Sequence, residues 1–278
     1  MVHETHETAP TQSVEIAGAA IAHRRFGKPG EAPLLLLNYF AANMDDWDPT
    51  ITNGLAAERE IVLFDYRGIG RSSGETGTTV SALSEDCATF CRAIGLGKID
   101  VMGFSLGGMV AQQLAHDYPD LLRRMILLGT GPRGGEGMTF TELTLDELDD
   151  LVSLIMNAFF TQSGASSTSG KAYLDRLQSR KGDRDDPVSR VSAGAQLNAI
   201  REWGIVPAQN RYAMLGRLSH PTLIVHGSKD VVVPPINAFI LEQHIPNAKL
   251  VMYPDSSHGA QSQYAKDFLT QVEMFLGM

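Results

Sequence analysis

The residues best suited to chemistry are Gly103-Phe104-Ser105-Leu106-Gly107, with Gly108 next. They follow an apolar run ending at Met102 and open an amphipathic helix. A serine hydroxyl becomes a useful nucleophile only when a base removes its proton and an acid orients that base. The glycines suit a turn tight enough to lift the hydroxyl clear of its surroundings, and the helix that follows points its N-terminus at the same place. The chemistry implied is attack on a carbonyl carbon. In the order Ser, Asp, His, the partners lie downstream. His226-Gly227-Ser228-Lys229-Asp230 follows the apolar run Thr222–Val225, and Pro254-Asp255-Ser256-Ser257-His258-Gly259 follows Lys249–Met252. Asp230 is the candidate acid and His258 the candidate base, each just past a strand end, where open parallel sheets place their sites. His226 also ends a strand but lies close to Asp230 in the same loop, and is read as loop structure. Asp255, three residues from His258, is the rival acid and is read as shaping its own turn.

Positioning such residues requires a sheet. Val14-Glu15-Ile16 and Ala19 to Arg25 alternate weakly around Gly18, which predicts an opening hairpin. Continuous apolar runs at Leu34–Leu37, Glu60–Asp65, Lys98–Met102, Arg124–Leu128, Pro221–His226 and Ala248–Tyr253 suit strands buried on both faces. Helical patterns lie between several of them, at Val80–Ile94, Leu106–His116, Ile236–His244 and Ser262–Leu276. This alternation predicts an α/β fold with a mostly parallel sheet covered on both faces. About 90 residues separate the runs at Gly129 and Pro221, far beyond the ~10–12 of a minimal crossover. An inserted helical cap is expected at 132–210, within a core of 13–131 and 211–278. Thr144 and Glu147 resemble a capping box, and Leu145, Leu148, Val152, Ile155, Met156 and Phe159 form one stripe. Lys171–Ser179 and Pro187–Trp203 can be helical, and the Ser/Gly/Thr-rich stretch Gln162–Gly170 is expected to be mobile.

The chain has 278 residues, of which 43% are hydrophobic and 20% charged, and its net charge is −9. Disordered, collagenous and disulfide-stapled classes are thereby excluded. An acidic chain lacks the basic stripe that neutralises phosphates, so neither nucleic acid nor an anionic membrane surface is expected as a partner. No apolar run approaches the ~18 residues of a membrane span. Residues 1–12 read as a disordered tail rather than a secretory signal, in which His3 and His6 are an accidental pair. Cys87 and Cys91 share a helical stripe with Leu83, Phe90 and Ile94 and are read as buried thiols, not a redox pair. Those thiols and the missing signal suggest the cytoplasm. Gly68-Ile69-Gly70-Arg71-Ser72-Ser73-Gly74 imitates a dinucleotide loop, but its third glycine is one position late and no apolar helix follows. Nor does any His/Cys cluster have zinc spacing.

Taken together, these motifs resemble the α/β-hydrolase superfamily, in particular its cofactor-free esterase and haloperoxidase-like branch. The resemblance runs from about Val14 to the end. Besides the serine turn, Asp65-Tyr66-Arg67-Gly68-Ile69-Gly70-Arg71-Ser72 looks like the family's loop after an early strand. His226-Gly227 to Asp230 is similar to its acid loop, and His258-Gly259 to its base loop. The resemblance implies an eight-stranded, mostly parallel sheet with a cap, no cofactor and no metal. It also implies a serine hydrolase of the carboxylesterase kind without fixing the substrate; the apolar and aromatic side chains among the pocket candidates named below suggest a small, largely apolar molecule. Where the family usually has His-Gly and an oxyanion-hole residue, this chain reads Asn38-Tyr39-Phe40. By position, Phe40 and Leu106 would supply the oxyanion amides. Tyr39 lacks the freedom glycine would have there. Asn38 either donates a side-chain hydrogen bond or holds the loop. Asn38, Tyr39, Phe104, Met156, Phe159, Phe160 and Trp203 are candidate pocket residues, with cap-to-core packing as the alternative for each. The same fold also hosts peracid formation, C–C hydrolysis, lactone opening and lyase chemistry, and ligand binding without catalysis. Neither the substrate nor the oligomeric state is legible.

Overall fold

A computed structural model describes residues 4–140 and 144–277. In chain order the elements are β1 (Gln12–Ile16), β2 (Ala19–Gly27), β3 (Leu34–Leu37), α1 (Pro49–Ala56), β4 (Glu60–Phe64), α2 (Val80–Ala93), β5 (Ile99–Phe104), α3 (Leu106–Asp117) and β6 (Leu122–Leu128). There follow α4 (Leu151–Phe159), α5 (Gly164–Leu177), α6 (Arg190–Gly204), β7 (Thr222–Gly227), α7 (Ile236–His244), β8 (Ala248–Tyr253), α8 (Ala260–Gln263) and α9 (Ala265–Leu276). The strands form one eight-stranded sheet in the order β1-β2-β4-β3-β5-β6-β7-β8. The β1/β2 and β2/β4 pairs are antiparallel and the rest parallel. This is the α/β-hydrolase fold.

The run of four leucines shows why the centre of the sheet is apolar on both faces. Leu35 and Leu37 pack into the layer of α2 and α3, beside Leu83, Phe90 and Met109. Leu34 and Leu36 point the other way, into the layer of α1 and α9 with Leu55 and Phe268. Period-two alternation sends successive side chains to opposite faces, so a strand between two helix layers needs hydrophobes at every position. Cys87 and Cys91 are free and buried in the α2/α3 layer.

Helices α4, α5 and α6 occupy the long interval between β6 and β7. Their starts are fixed by Asp150, Ser163 and Ser189, whose side chains accept from backbone amides of the first turn. Gln162–Gly170, expected to be mobile, is instead the start of α5. Ser163 caps it, Ser163 Oγ donates to Asp255 Oδ2 (2.6 Å) and Ser166 Oγ donates to Gln263 Oε1 (2.7 Å). Small polar residues read as flexible here serve as caps and cross-links. The Thr144–Glu147 pair is a single 3.4 Å bond ahead of a short turn of 3-10 helix at Asp146–Asp150, not the start of α4.

The expectation of a disordered 1–12 tail is corrected for the described part. His6 and Ala9 are buried. The His6 amide donates to Asn53 Oδ1 (2.8 Å), and Arg180 donates to the carbonyls of His6 and Ala9 (3.0 Å each). A polar sequence becomes ordered here because a buried arginine satisfies its carbonyls. Burial pushes His6 down to about 4. His3 lies outside the described residues.

Candidate active site

Ser105 sits between β5 and α3 with φ 53° and ψ −113°, a conformation that costs a non-glycine residue strain. The strain is held by close packing beneath it. A Cβ at Gly103 would fall onto the carbonyl of Gly107, and one at Gly107 onto the carbonyl of Leu37 at the end of β3. Any side chain at either position would have to push backbone apart, so the small residues set how closely α3 approaches the sheet. The Ser105 amide donates to Leu128 O (2.9 Å), and the Ser105 carbonyl takes the amides of Gly108 and Met109. Leu106 is the first residue of α3, so its amide has no acceptor within the helix.

Asp230 and His258, distant in sequence, are brought together. His258 Nδ1 lies 2.8 Å from Asp230 Oδ2, and both side chains are buried. Asp230 Oδ1 accepts the amides of Val232 (2.8 Å) and Val233 (2.9 Å). Burial by itself would raise this carboxyl. The attraction and hydrogen bond of His258, with His226 and the Val233 amide, outweigh it and hold Asp230 below its ordinary value. The hydrogen on Nδ1 leaves Nε2 of His258 as the free basic nitrogen. The imidazole is flanked by the rings of Phe104 and Phe159, with centroids 5.0 and 5.6 Å away.

Ser105 and His258 open on one cavity of about 470 Å³. Its apolar walls include Met109, Leu154, Ile155, Phe159 and Ile200, and its far end includes Asn43, Asp46, Arg184 and Asp185. Tyr39, Phe40 and Phe159 are among its lining residues. Phe104 stands behind the wall, 4.9 Å from the ring of Tyr39. The other four candidates lie elsewhere. Trp203 is wholly buried in the core with its indole N–H on Gly131 O (3.2 Å). Phe160 packs on Tyr173. Met156 lies against Gly170 and the layer of α1 and α9. Asn38 holds the loop, accepting from Trp47 Nε1 (2.6 Å) and donating to Phe64 O (3.3 Å). Asp255 does not reach the site; it binds Thr161 and Ser163 of the cap.

The Asn38-Tyr39-Phe40 loop avoids the conflict expected from replacing glycine. Its left-handed residue is Ala41 (φ 56°). The Ala41 amide donates to Gln196 Oε1 of α6 (2.8 Å), so the cap holds the turn.

At the far end, Asp46 is raised from 3.8 to about 6, chiefly by burial, against the lowering bond from the Asn43 amide. The folded protein therefore holds a proton on Asp46 that the unfolded chain releases between about pH 4 and 6, and stability falls as pH rises through that window. Asp46→Asn should leave the melting temperature little changed at about pH 4 and raise it at about pH 8. An equal effect at both pH values would contradict this assignment.

The fold and this geometry define a class, and a family model agrees. The alpha/beta hydrolase fold model matches residues 32–263, and the chain belongs to that family. The solved structure of an alpha/beta hydrolase fold protein from Chitinophaga pinensis is 38% identical, with a TM-score of 0.90 over 98% of this chain and 99% of that one. A poly(3-hydroxyalkanoate) depolymerase of Ectopseudomonas oleovorans is 27% identical over 83% of this chain and 80% of its own. A pimeloyl acyl-carrier-protein methyl ester esterase of Nitrosomonas europaea is 26% identical over 87% of this chain and 94% of its own. Among the described residues no helix is long and apolar enough to cross a membrane, and no group of His, Cys, Asp and Glu is arranged to hold a metal ion.

Proposed function

We propose that the protein is a serine hydrolase that cleaves a carboxylic ester of a small, largely apolar molecule through an acyl-enzyme on Ser105. The observation that carries this reading is the buried Asp230–His258 pair opening, with Ser105, onto one cavity with largely apolar walls. His258 Nε2 would take the Ser105 proton as Oγ attacks the ester carbonyl. Asp230 would hold the imidazole tautomer and stabilise its charged form. The amides of Leu106 and Phe40 would bind the tetrahedral oxyanion. Collapse expels the alcohol, which takes its proton from His258. Water, deprotonated by His258, then attacks the acyl-enzyme and frees the acid and Ser105. The steps use no cofactor or metal. The resemblance to a methyl ester esterase and a poly(3-hydroxyalkanoate) depolymerase supports ester hydrolysis. The partner is a small-molecule substrate, without nucleic acid or membrane. The two free thiols suit the reducing cytoplasm.

A fluorophosphonate probe should label wild type at one residue, Ser105, as read by mass spectrometry of the digest. With p-nitrophenyl esters from acetate to octanoate, kcat/KM should rise with acyl length and then fall as the cavity fills. Absence of labelling together with inactivity on every ester would leave a ligand-binding protein of this fold.

A further inference from the structure

His226 was read from sequence as loop structure, yet it shares an oxygen with His258. Its Nε2 lies 2.9 Å from Val233 O and 3.2 Å from Asp230 Oδ2. A carbonyl only accepts, so Nε2 carries the hydrogen and points it at both oxygens. Nδ1 is buried with no hydrogen-bonding partner among the described residues. A proton there would add a buried charge and an unsatisfied donor. Burial, only partly opposed by Asp230, lowers the pKa of this ring. The imidazole is therefore a neutral donor of fixed tautomer. Asp230 Oδ1 is occupied by two amides, leaving Oδ2 to be divided between the two histidines.

We propose that His226 is a positioning residue of this site: by donating from Nε2 to Asp230 Oδ2 it limits how strongly that carboxylate holds the proton of His258, and so sets the acid limb of the pH–activity profile. The proposal rests on the reading of Ser105, Asp230 and His258 given above. The charges acting on His226 are Asp230 and His258, and those acting on Asp230 are the two histidines. Lys229 and Asp255, on the same two loops, pair with each other at 3.5 Å and are partly exposed. On the cap side, Asp149 and Arg190 line the cavity.

The test uses the full chain with His226→Phe and His226→Gln, reading kcat/KM for p-nitrophenyl butyrate against pH. Phe removes the donor. Gln places an amide N–H where Nε2 stood. The acid limb should move to higher pH by roughly half a unit in His226→Phe and return to the wild-type position in His226→Gln. A wild-type limb in a folded His226→Phe overturns the proposal, even if kcat falls, because loop damage alone lowers turnover without moving the limb. A second measurement needs no variant. The imidazole ¹⁵N shifts of wild type should show His226 as the neutral Nε2–H tautomer at about pH 7; an Nδ1–H or doubly protonated ring overturns the proposal. Failure of wild type to label at Ser105 counts against the hydrolase reading, and the ¹⁵N result still decides the hydrogen bond.

Discussion

Ser105→Ala is expected to reduce kcat/KM on the best p-nitrophenyl ester by about four to six orders of magnitude. Its melting temperature should stay close to wild type. The two halves of this expectation have separate physical origins. Alanine keeps the Cβ, so the positive φ of 53° and the close approach of Gly107 to β3 are unchanged. Only Oγ is lost, and with it the covalent step. Under the proposed mechanism, what survives would be binding in the cavity and polarisation of the carbonyl by the amides of Leu106 and Phe40, leaving modest catalysis over water. The measurement is p-nitrophenolate release by enzyme purified apart from any wild-type protein, alongside fluorophosphonate labelling. Activity within tenfold of wild type would mean that the chemistry lies elsewhere in the chain.

Arg24→Met should destabilise the fold by about 3–5 kcal/mol, the usual cost of removing one partner from a buried ion cluster. Arg24 lies in β2 with its side chain fully buried. Nη1 meets Asp45 Oδ1 at 2.5 Å, Nη2 meets Asp185 Oδ2 at 2.7 Å, and Nε donates to Thr11 Oγ1 at 3.0 Å. Methionine fills similar space but deprives the buried carboxylates of Asp45 and Asp185 of their shortest cationic contacts, Asp45 keeping only Arg180 at 3.7 Å and Arg184 at 3.8 Å. Asp185 already sits near 6, raised by burial and restrained chiefly by Arg24. Without the cation it would be driven higher, so the loss should be larger at neutral than at acid pH. Urea titration with an unchanged slope and a lowered midpoint is the expected result. A loss under about 1 kcal/mol would mean that the pairs are weak or replaced by water. Arg24→Met combined with Asp45→Asn should recover part of the loss if the residual carboxylate charge is its cause.

Legibility in sequence followed the range of the forces involved. The strand at Leu34–Leu37 declared itself because a strand between helix layers can hold nothing but hydrophobes. The glycines around Ser105 were legible because they form a local sequence pattern, although only the contact of Gly103 with Gly107 is local and Gly107 is constrained by the distant carbonyl of Leu37. Arg24 was not: an arginine in a weakly alternating strand looks solvent-facing, and its burial is made tolerable by Asp45 and Asp185, brought in from elsewhere, with Thr11 and the Asp183 carbonyl taking its other N–H groups. His226 was noticed but assigned only to its loop, since its bond to Asp230 depends on how that loop closes. Trp203 and Phe160 show a different limit: as large aromatic residues of the expected cap they could serve either a pocket wall or packing, and the fold uses them for packing. The cap was legible as an interval and less so in its details. Its first helix is capped by Asp150, not Thr144, and the stretch read as mobile is tied at both Ser163 and Ser166.

The ties between cap and core bear on how molecules come and go. The amides of His258 and Gly259 donate to the carbonyls of Ala158 and Phe159 at the end of α4, at 3.2 and 2.9 Å, and Ser257 Oγ donates to Ala158 O at 2.6 Å. The roof of the chamber and the loop bearing the base are thus one mechanical piece. Under the proposed function, raising α4 to admit a substrate would strain the loop that carries His258, so entry is expected by a route that leaves these bonds intact. A broad open vestibule shares Phe140, Asp149, Leu154, Ala158 and Val232 with the inner chamber and is edged by Asp146, Glu147 and Asp150. Arg190 binds Asp146 (2.6 Å) and Asp149 (2.7 Å) at this rim, so its carboxylates are partly neutralised. Under the proposed ester hydrolysis, the remaining negative charge of the doorway would disfavour the entry of anionic esters and favour the departure of the carboxylate product.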